Sequence, residues 1–178
     1  MRSTTRLIAL AVTTTLVAVA CGDGGHPTAG EGSGRPGEAT VVRVIDGDTI
    51  VVNIGGTTER VRLIGIDTPE TSHPRRPVQC FGAEASIRTK ALLPPGTSVL
   101  LVRDAELRDA YDRLLAYVHR TSDDLFVNLD LVRSGHAAVA TYPPNVAHVD
   151  EISSAASAAR RAGRGLWSAC GGPDRPVE

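Results

Sequence analysis

Carboxylates and arginines are concentrated between Val41 and Glu70. Asp46 and Asp48 flank Gly47 where one run of β-branched residues, Val41 to Ile45, passes into another, Thr49 to Ile54. A third run, Val61 to Ile66, carries Arg62 within it and is followed by Asp67 and Glu70. Carboxylates supply the oxygen ligands a hard cation takes, and guanidinium groups supply planar forks that match phosphate oxygens. An arginine in the middle of an apolar strand needs a partner, whether a ligand or a structural salt bridge.

The elements that must position these groups are three strands. Asp46-Gly47-Asp48 and Gly55-Gly56 are turn signals, so the economical reading is an antiparallel meander. In a meander the start of the second strand neighbours the end of the third, which lets Asp48 and Asp67 converge at one rim as an oxygen-rich site. Taken singly, each residue has a plainer reading: Asp48 as a hairpin-turn aspartate, Asp67 as a cap before Pro69, Glu70 as an exposed glutamate.

The ordered set is more specific than its parts. Asp46-Gly47-Asp48-Thr49, Arg62 through Asp67-Thr68-Pro69-Glu70, Tyr111-Asp112-Arg113, Tyr142-Pro143-Pro144-Asn145 and Gly165-Leu166-Trp167 resemble, in this order, the staphylococcal nuclease (thermonuclease) family. The resemblance runs from Ala39 to Trp167 and implies hydrolysis of DNA or RNA, single- or double-stranded, that leaves 3′-phosphate ends. It implies Ca2+ held by Asp48, Asp67 and the Thr68 carbonyl, with Asp46 behind them as an orienting group. Such a reaction needs an aimed water, neutralised phosphate oxygens and help for the leaving oxygen. Glu70 would serve as general base or orient the water, and Arg62 and Arg113 would hold the phosphate. So few protein ligands imply weak binding, suited to the roughly millimolar calcium outside cells. Tyr111 and Tyr142 fall where the resemblance places rings or hydroxyls near the nucleotide. One position departs from the pattern: Ala140 stands where the family has a second tyrosine, so weaker base stacking is expected.

The rest of the chain reads as a small domain around this stretch. Thr71 to Val78 holds two prolines with Arg75 and Arg76 and reads as a surface loop, either bordering a substrate groove or merely solvated. Ala83 to Leu93 predicts a helix with Ala83, Ile87 and Ala91 on its apolar face, stopped by Pro94-Pro95. Strands follow at Thr97 to Val102 and Leu114 to His119, then helices at Val127 to Ser134, ended by Gly135, and at Asp150 to Ala162, with Ile152, Ala155, Ala156 and Ala159 inward. The expected fold is α+β, mainly β: an OB-fold, five-stranded antiparallel barrel with three short helices, which the resemblance also implies.

The ends point to export. Arg2 and Arg6 precede an apolar run from Leu7 to Ala20, which predicts a signal peptide over residues 1–20. Small residues before Cys21 resemble a lipoprotein signal, with Cys21 as the lipid attachment site at the outer face of the membrane; cleavage near Ala20 and release of a soluble protein is the other reading. Residues 21–38 are glycine-rich and read as a flexible tether, residues 39–170 as the domain and residues 171–178 as a disordered tail. With Cys21 assigned to lipid, Cys80 and Cys170 are left as a disulfide pair or as two free thiols. The chain carries 19 basic and 20 acidic residues, a net charge of −1, which excludes a strong global pull toward nucleic acid. Loss of Arg2 and Arg6 would move it to −3, so attraction must come from local arginines. A monomer is expected. Two rivals remain at this stage: an OB module that binds nucleic acid without cleaving it, and an envelope lipoprotein whose acidic rim only binds calcium.

Overall fold

The computed structural model describes residues 37–71 and 77–177. The expected signal peptide, Cys21, most of the tether, Arg75 and Arg76 lie outside these residues. β1 (Glu38–Val44), β2 (Thr49–Ile54) and β3 (Thr57–Leu63) form the expected meander, and β4 (Gly65–Asp67) follows directly. α1 (Gly82–Leu92), β5 (Ser98–Val102), β6 (Leu114–Arg120), β7 (Leu125–Phe126), α2 (Val127–Arg133), β8 (Ala138–Ala140), α3 (Val149–Arg161) and α4 (Leu166–Ala169) complete the chain. Strands pair in the order β3-β2-β1-β5-β6, and β3 returns to β6, which closes a five-stranded barrel.

That closure corrects one expectation. The barrel is mixed, because β3 and β6 run parallel, with Val61, Arg62 and Leu63 opposite Leu114, Leu115 and Ala116. The reason is topological: strand directions cannot alternate around a ring of five, so one seam must be parallel. The expected third strand is also divided. Gly65, at φ +78°, turns the chain out of the barrel, and β4 pairs instead with β8, Asp67 lying opposite Ala138. Asn128 fixes this break, since its buried amide donates to the Ile64 carbonyl at 2.9 Å and accepts from Val118 N at 2.9 Å.

The barrel interior is aliphatic. Val41, Ile50, Val52, Val61, Leu63, Val99, Val118 and Leu131 are all buried, with Tyr117 as the one large ring among the fully buried side chains. α3 buries the four residues expected of it. α1 does not. Ala83, Ile87 and Ala91 face solvent, Ile87 being 64% exposed, while Gly82, Ala85, Ser86, Thr89 and Leu92 face inward. Small and polar residues were needed on that face, because the helix lies against backbone: the Thr89 hydroxyl donates to the Gly47 carbonyl at 2.7 Å, and a Cβ on Gly82 would stand 2.7 Å from the Glu70 carbonyl oxygen.

A fourth helix of four residues, α4, adds to the three expected. Cys80 and Cys170 form a disulfide across a separation of 90 residues, with Cα atoms 6.0 Å apart. The stretch expected to be a disordered tail is instead hydrogen-bonded as far as Val177. Arg175 O accepts from Cys80 N at 2.8 Å, and Val177 N donates to Val78 O at 3.1 Å.

Candidate active site

Residues named from the sequence gather at one rim of the barrel, where β2, β3 and β4 end or begin. Thr49 lies opposite Arg62 in the β2–β3 register, which puts Asp48 beside the arginine. Arg62 Nη2 is 3.2 Å from Asp48 Oδ2 and 2.8 Å from Asp67 Oδ1, so one guanidinium joins the two carboxylates. Its Nη1 donates to the main-chain carbonyls of Leu63 and Ile66, which locks the fork across the β3–β4 break. The two readings of Arg62, structural partner and ligand fork, are therefore not exclusive.

Asp48 is 6% exposed and well supplied with donors. Its Oδ2 accepts from Thr68 N at 2.9 Å and from the Thr68 hydroxyl at 3.1 Å, and its Oδ1 accepts from the Thr49 hydroxyl at 3.1 Å. Asp46 sits behind it, accepting from Asp48 N at 3.2 Å. Burial, then the Asp48 charge, push the Asp46 carboxyl up to about 6, and Glu70 adds a smaller push in the same direction. Glu70 thus bears on the same pocket of negative charge. Its main chain is fixed: Glu70 N donates to Gln79 Oε1 at 2.7 Å, and Gln79 N donates to Glu70 O at 2.8 Å.

The parallel seam brings in the second arginine. Arg113 immediately precedes Leu114, the residue opposite Val61, and its Nη1 reaches the Thr49 hydroxyl at 3.4 Å. Asp109 holds it: the Arg113 Nε and Nη2 each lie 2.7 Å from Asp109 Oδ2, and Asp109 Oδ1 accepts from the main-chain N–H groups of Tyr111 and Arg113. Burial alone would raise the Asp109 carboxyl, but hydrogen bonds from the Arg113 main chain and side chain hold it below the ordinary aspartate range. Tyr111 is 73% exposed, and the Arg113 guanidinium lies 5.5 Å from its ring centroid.

Negative charge is dense at this rim, and the Arg62 guanidinium offsets part of it. Two like-charged carboxylates in a desolvated corner, one of them forced toward its neutral form, would both be relieved by positive charge. Among the described residues no three His, Cys, Asp or Glu side chains gather around one point. The structure brings Asp48 and Asp67 together through Arg62.

Residues 60–169 match the family described as Staphylococcal nuclease homologue. The chain is also 40% identical over 162 residues to the thermonuclease of Staphylococcus intermedius, a match that covers 90% of this chain and 94% of that protein. The chain belongs to the staphylococcal nuclease family. Similarity extends to the thermonuclease of Staphylococcus hyicus, 41% identical over 128 residues, covering 72% of this chain and 74% of that one. It also includes the SPbeta prophage-derived endonuclease YokF of Bacillus subtilis, 39% identical over 132 residues, covering 74% of this chain and 44% of the relative.

Within this staphylococcal nuclease domain, Tyr142 is 70% exposed in the turn closed by the Tyr142–Asn145 bridge, and Ala140 pairs with Gly65 across β4 and β8. Sequence reasoning missed Asp109, Thr89, Asn128 and Gln79. Asp109 had a signal: an aspartate four residues before an arginine in a tight polar loop, the spacing of a local ion pair. Thr89 and Asn128 act on backbone more than forty residues away and Gln79 on backbone nine residues away across a loop, and spacing carries no trace of either.

Proposed function

We propose that the chain is a calcium-dependent, extracytoplasmic nuclease that hydrolyses DNA and RNA and leaves 3′-phosphate ends. It is a nuclease by family, and thus a hydrolase of phosphodiester bonds; the metal, the product end and the location are the finer parts of the reading. The observation that carries it is the convergence of Asp48, Asp67, Arg62 and Arg113 around the start of β2, with the Glu70 charge felt at the adjacent Asp46.

Asp48, Asp67 and the Thr68 carbonyl would hold the cation, with Asp46 behind them. Bound there, Ca2+ would supply charge to offset that on the phosphate oxygens. Arg62 and Arg113 supply planar donors to the same oxygens, where charge grows as the fifth bond to phosphorus forms. Glu70 accepts a hydrogen bond from the attacking water and aims it. As that water bonds to phosphorus its proton passes to Glu70 or to solvent, the bond to the 5′-oxygen breaks, that oxygen leaves with a proton from solvent, and the phosphate stays on the 3′ side. Tyr111 and Tyr142, both exposed, would offer faces for bases to stack on. Export by residues 1–20, attachment through Cys21 and action as a monomer complete the reading.

The test is cleavage of single-stranded DNA and of RNA by the chain from residue 37 onward, with calcium or with a chelator, beside Glu70→Gln. Calcium-dependent cleavage that falls by orders of magnitude in a folded Glu70→Gln variant is expected, with products that terminal transferase does not extend. A folded chain that binds calcium and cleaves neither substrate would overturn it and favour a binding module. Recovery of full-length protein in membranes, lost in Cys21→Ser, tests the anchor.

A further inference from the structure

Val78, Gln79 and Cys80 are pinned between Glu70 and the end of the described chain. Gln79 faces Glu70 with two hydrogen bonds, its side-chain Oε1 taking the Glu70 N–H at 2.7 Å and its own N–H giving to the Glu70 carbonyl at 2.8 Å. The C-terminal strap runs along the other side of this segment. Gln79 bridges to Pro176, its Nε2 donates to Asp174 Oδ1 at 3.2 Å, Cys80 N donates to Arg175 O and Val177 N donates to Val78 O. One residue on, the Cys80–Cys170 disulfide ties the start of the strap to the same segment. Gly82, the first residue of α1, closes the contact from below against the Glu70 carbonyl.

Glu70 lies three residues beyond the end of β4, and Gln79 engages both its main-chain N–H and its carbonyl. From this geometry we infer that Gln79 is a positioning residue for Glu70, and that the disulfide-tethered C-terminal strap holds Gln79 in place. The inference rests on the assignment of Glu70 above. A carboxylate that aims water works only within a narrow range of positions, and a displacement of about 1 Å costs up to about a hundredfold in rate. Loss of the pin therefore reaches kcat rather than substrate affinity, since the arginines and tyrosines that would hold the nucleic acid are on other elements.

The experiment compares full-length wild type, Gln79→Met, Gln79→Glu with Asp174→Asn, a chain truncated after Cys170, and Glu70→Gln, each in steady-state cleavage of single-stranded DNA and in thermal melting. Gln79→Met keeps the size of the side chain but removes the acceptor; its kcat is expected to fall about tenfold with KM and melting temperature nearly unchanged. Gln79→Glu, made together with Asp174→Asn so that the strap keeps a donor–acceptor pair at this point, restores the acceptor and is expected to recover most of kcat. Truncation keeps the disulfide, removes the strap, and is expected to lower kcat about threefold at unchanged KM. An unchanged kcat in Gln79→Met, or equal losses in Gln79→Met and in Gln79→Glu with Asp174→Asn, would overturn the positioning role. A truncated chain with wild-type kcat would overturn the part played by the strap. A fully active Glu70→Gln would instead remove the assignment on which the inference stands, and the two failures are thereby told apart.

Discussion

Arg62 bridges Asp48 and Asp67, and the proposed reaction would have it hold phosphate as well; the two roles predict different consequences of its loss. Its side chain is 13% exposed and that of Asp48 9%, so Arg62→Ala would leave a buried aspartate without its cation. Breaking such a pair typically costs about 3 to 5 kcal/mol, and the more exposed Asp67 adds little to this. Urea unfolding in chelator is expected to show that loss, and calcium to raise the midpoint more in the variant than in wild type. In the proposed reaction Asp109 would act only through Arg113. Asp109→Asn keeps its shape and gives up the charge, so Arg113 loses its anchor while remaining present. An approximately tenfold fall in kcat/KM is expected, smaller than the fall in Arg113→Ala measured beside it; a fall larger than that of Arg113→Ala would show that Asp109 does more than orient the arginine.

At the scale of elements, α1 is the support for the acidic turn, and its inward face was misjudged for a physical reason. Apolar residues four apart suggest a buried ridge, yet Ile87 is exposed while Thr89 is fully buried. What decides the face is the need of the Gly47 carbonyl for a donor, which the Thr89 hydroxyl meets at 2.7 Å. Thr89→Val keeps the volume and strands that carbonyl, at a cost of about 1 to 3 kcal/mol. Ile87→Glu touches nothing inside and is expected to change stability by no more than about 0.5 kcal/mol. Chemical denaturation of the two variants side by side would reverse the ranking that hydrophobicity alone suggests. The β3–β4 break is a second case. Gly65 turns the chain and Asn128 ties the break to β6, so Asp67 leaves the barrel wall and stands where Arg62 reaches it.

For the whole molecule, the disulfide and the titrating groups set the conditions under which the fold persists. The Cys80–Cys170 link closes a loop spanning a separation of 90 residues, and in the chain-entropy model a loop of that length contributes about 4 to 5 kcal/mol. Reduction is expected to lower the melting temperature markedly, with a Cys80→Ser, Cys170→Ser variant matching the reduced protein. His136 supplies a pH signature. Burial, then the nearby Arg88 charge, hold its imidazole below the ordinary value of 6.5. The unfolded chain therefore binds the proton more readily, so the stability linked to His136 is present above 6.5 and is lost as pH falls through the lowered folded value. Between about pH 7.5 and 5.5, stability should fall further in wild type than in His136→Asn, read as the difference in urea midpoints.

The sequence by itself determined the meander, the order of the helices, the inward face of α3 and the identity of the residues at the rim, because those follow from local periodicity, turn chemistry and an ordered motif. Even the parallel seam was implicit in the count, since five strands in a ring cannot all be antiparallel to their neighbours. Only the tertiary structure decided that this seam falls between β3 and β6, which is what sets Arg113 beside Thr49, the cross-strand partner of Arg62. It also decided which face of α1 turns inward, and that the chain's end returns to Val78–Cys80 rather than trailing away. Those outcomes depend on which buried carbonyls lack donors and which segments meet across the fold. Distant parts of the chain settle both, and no window of sequence contains them.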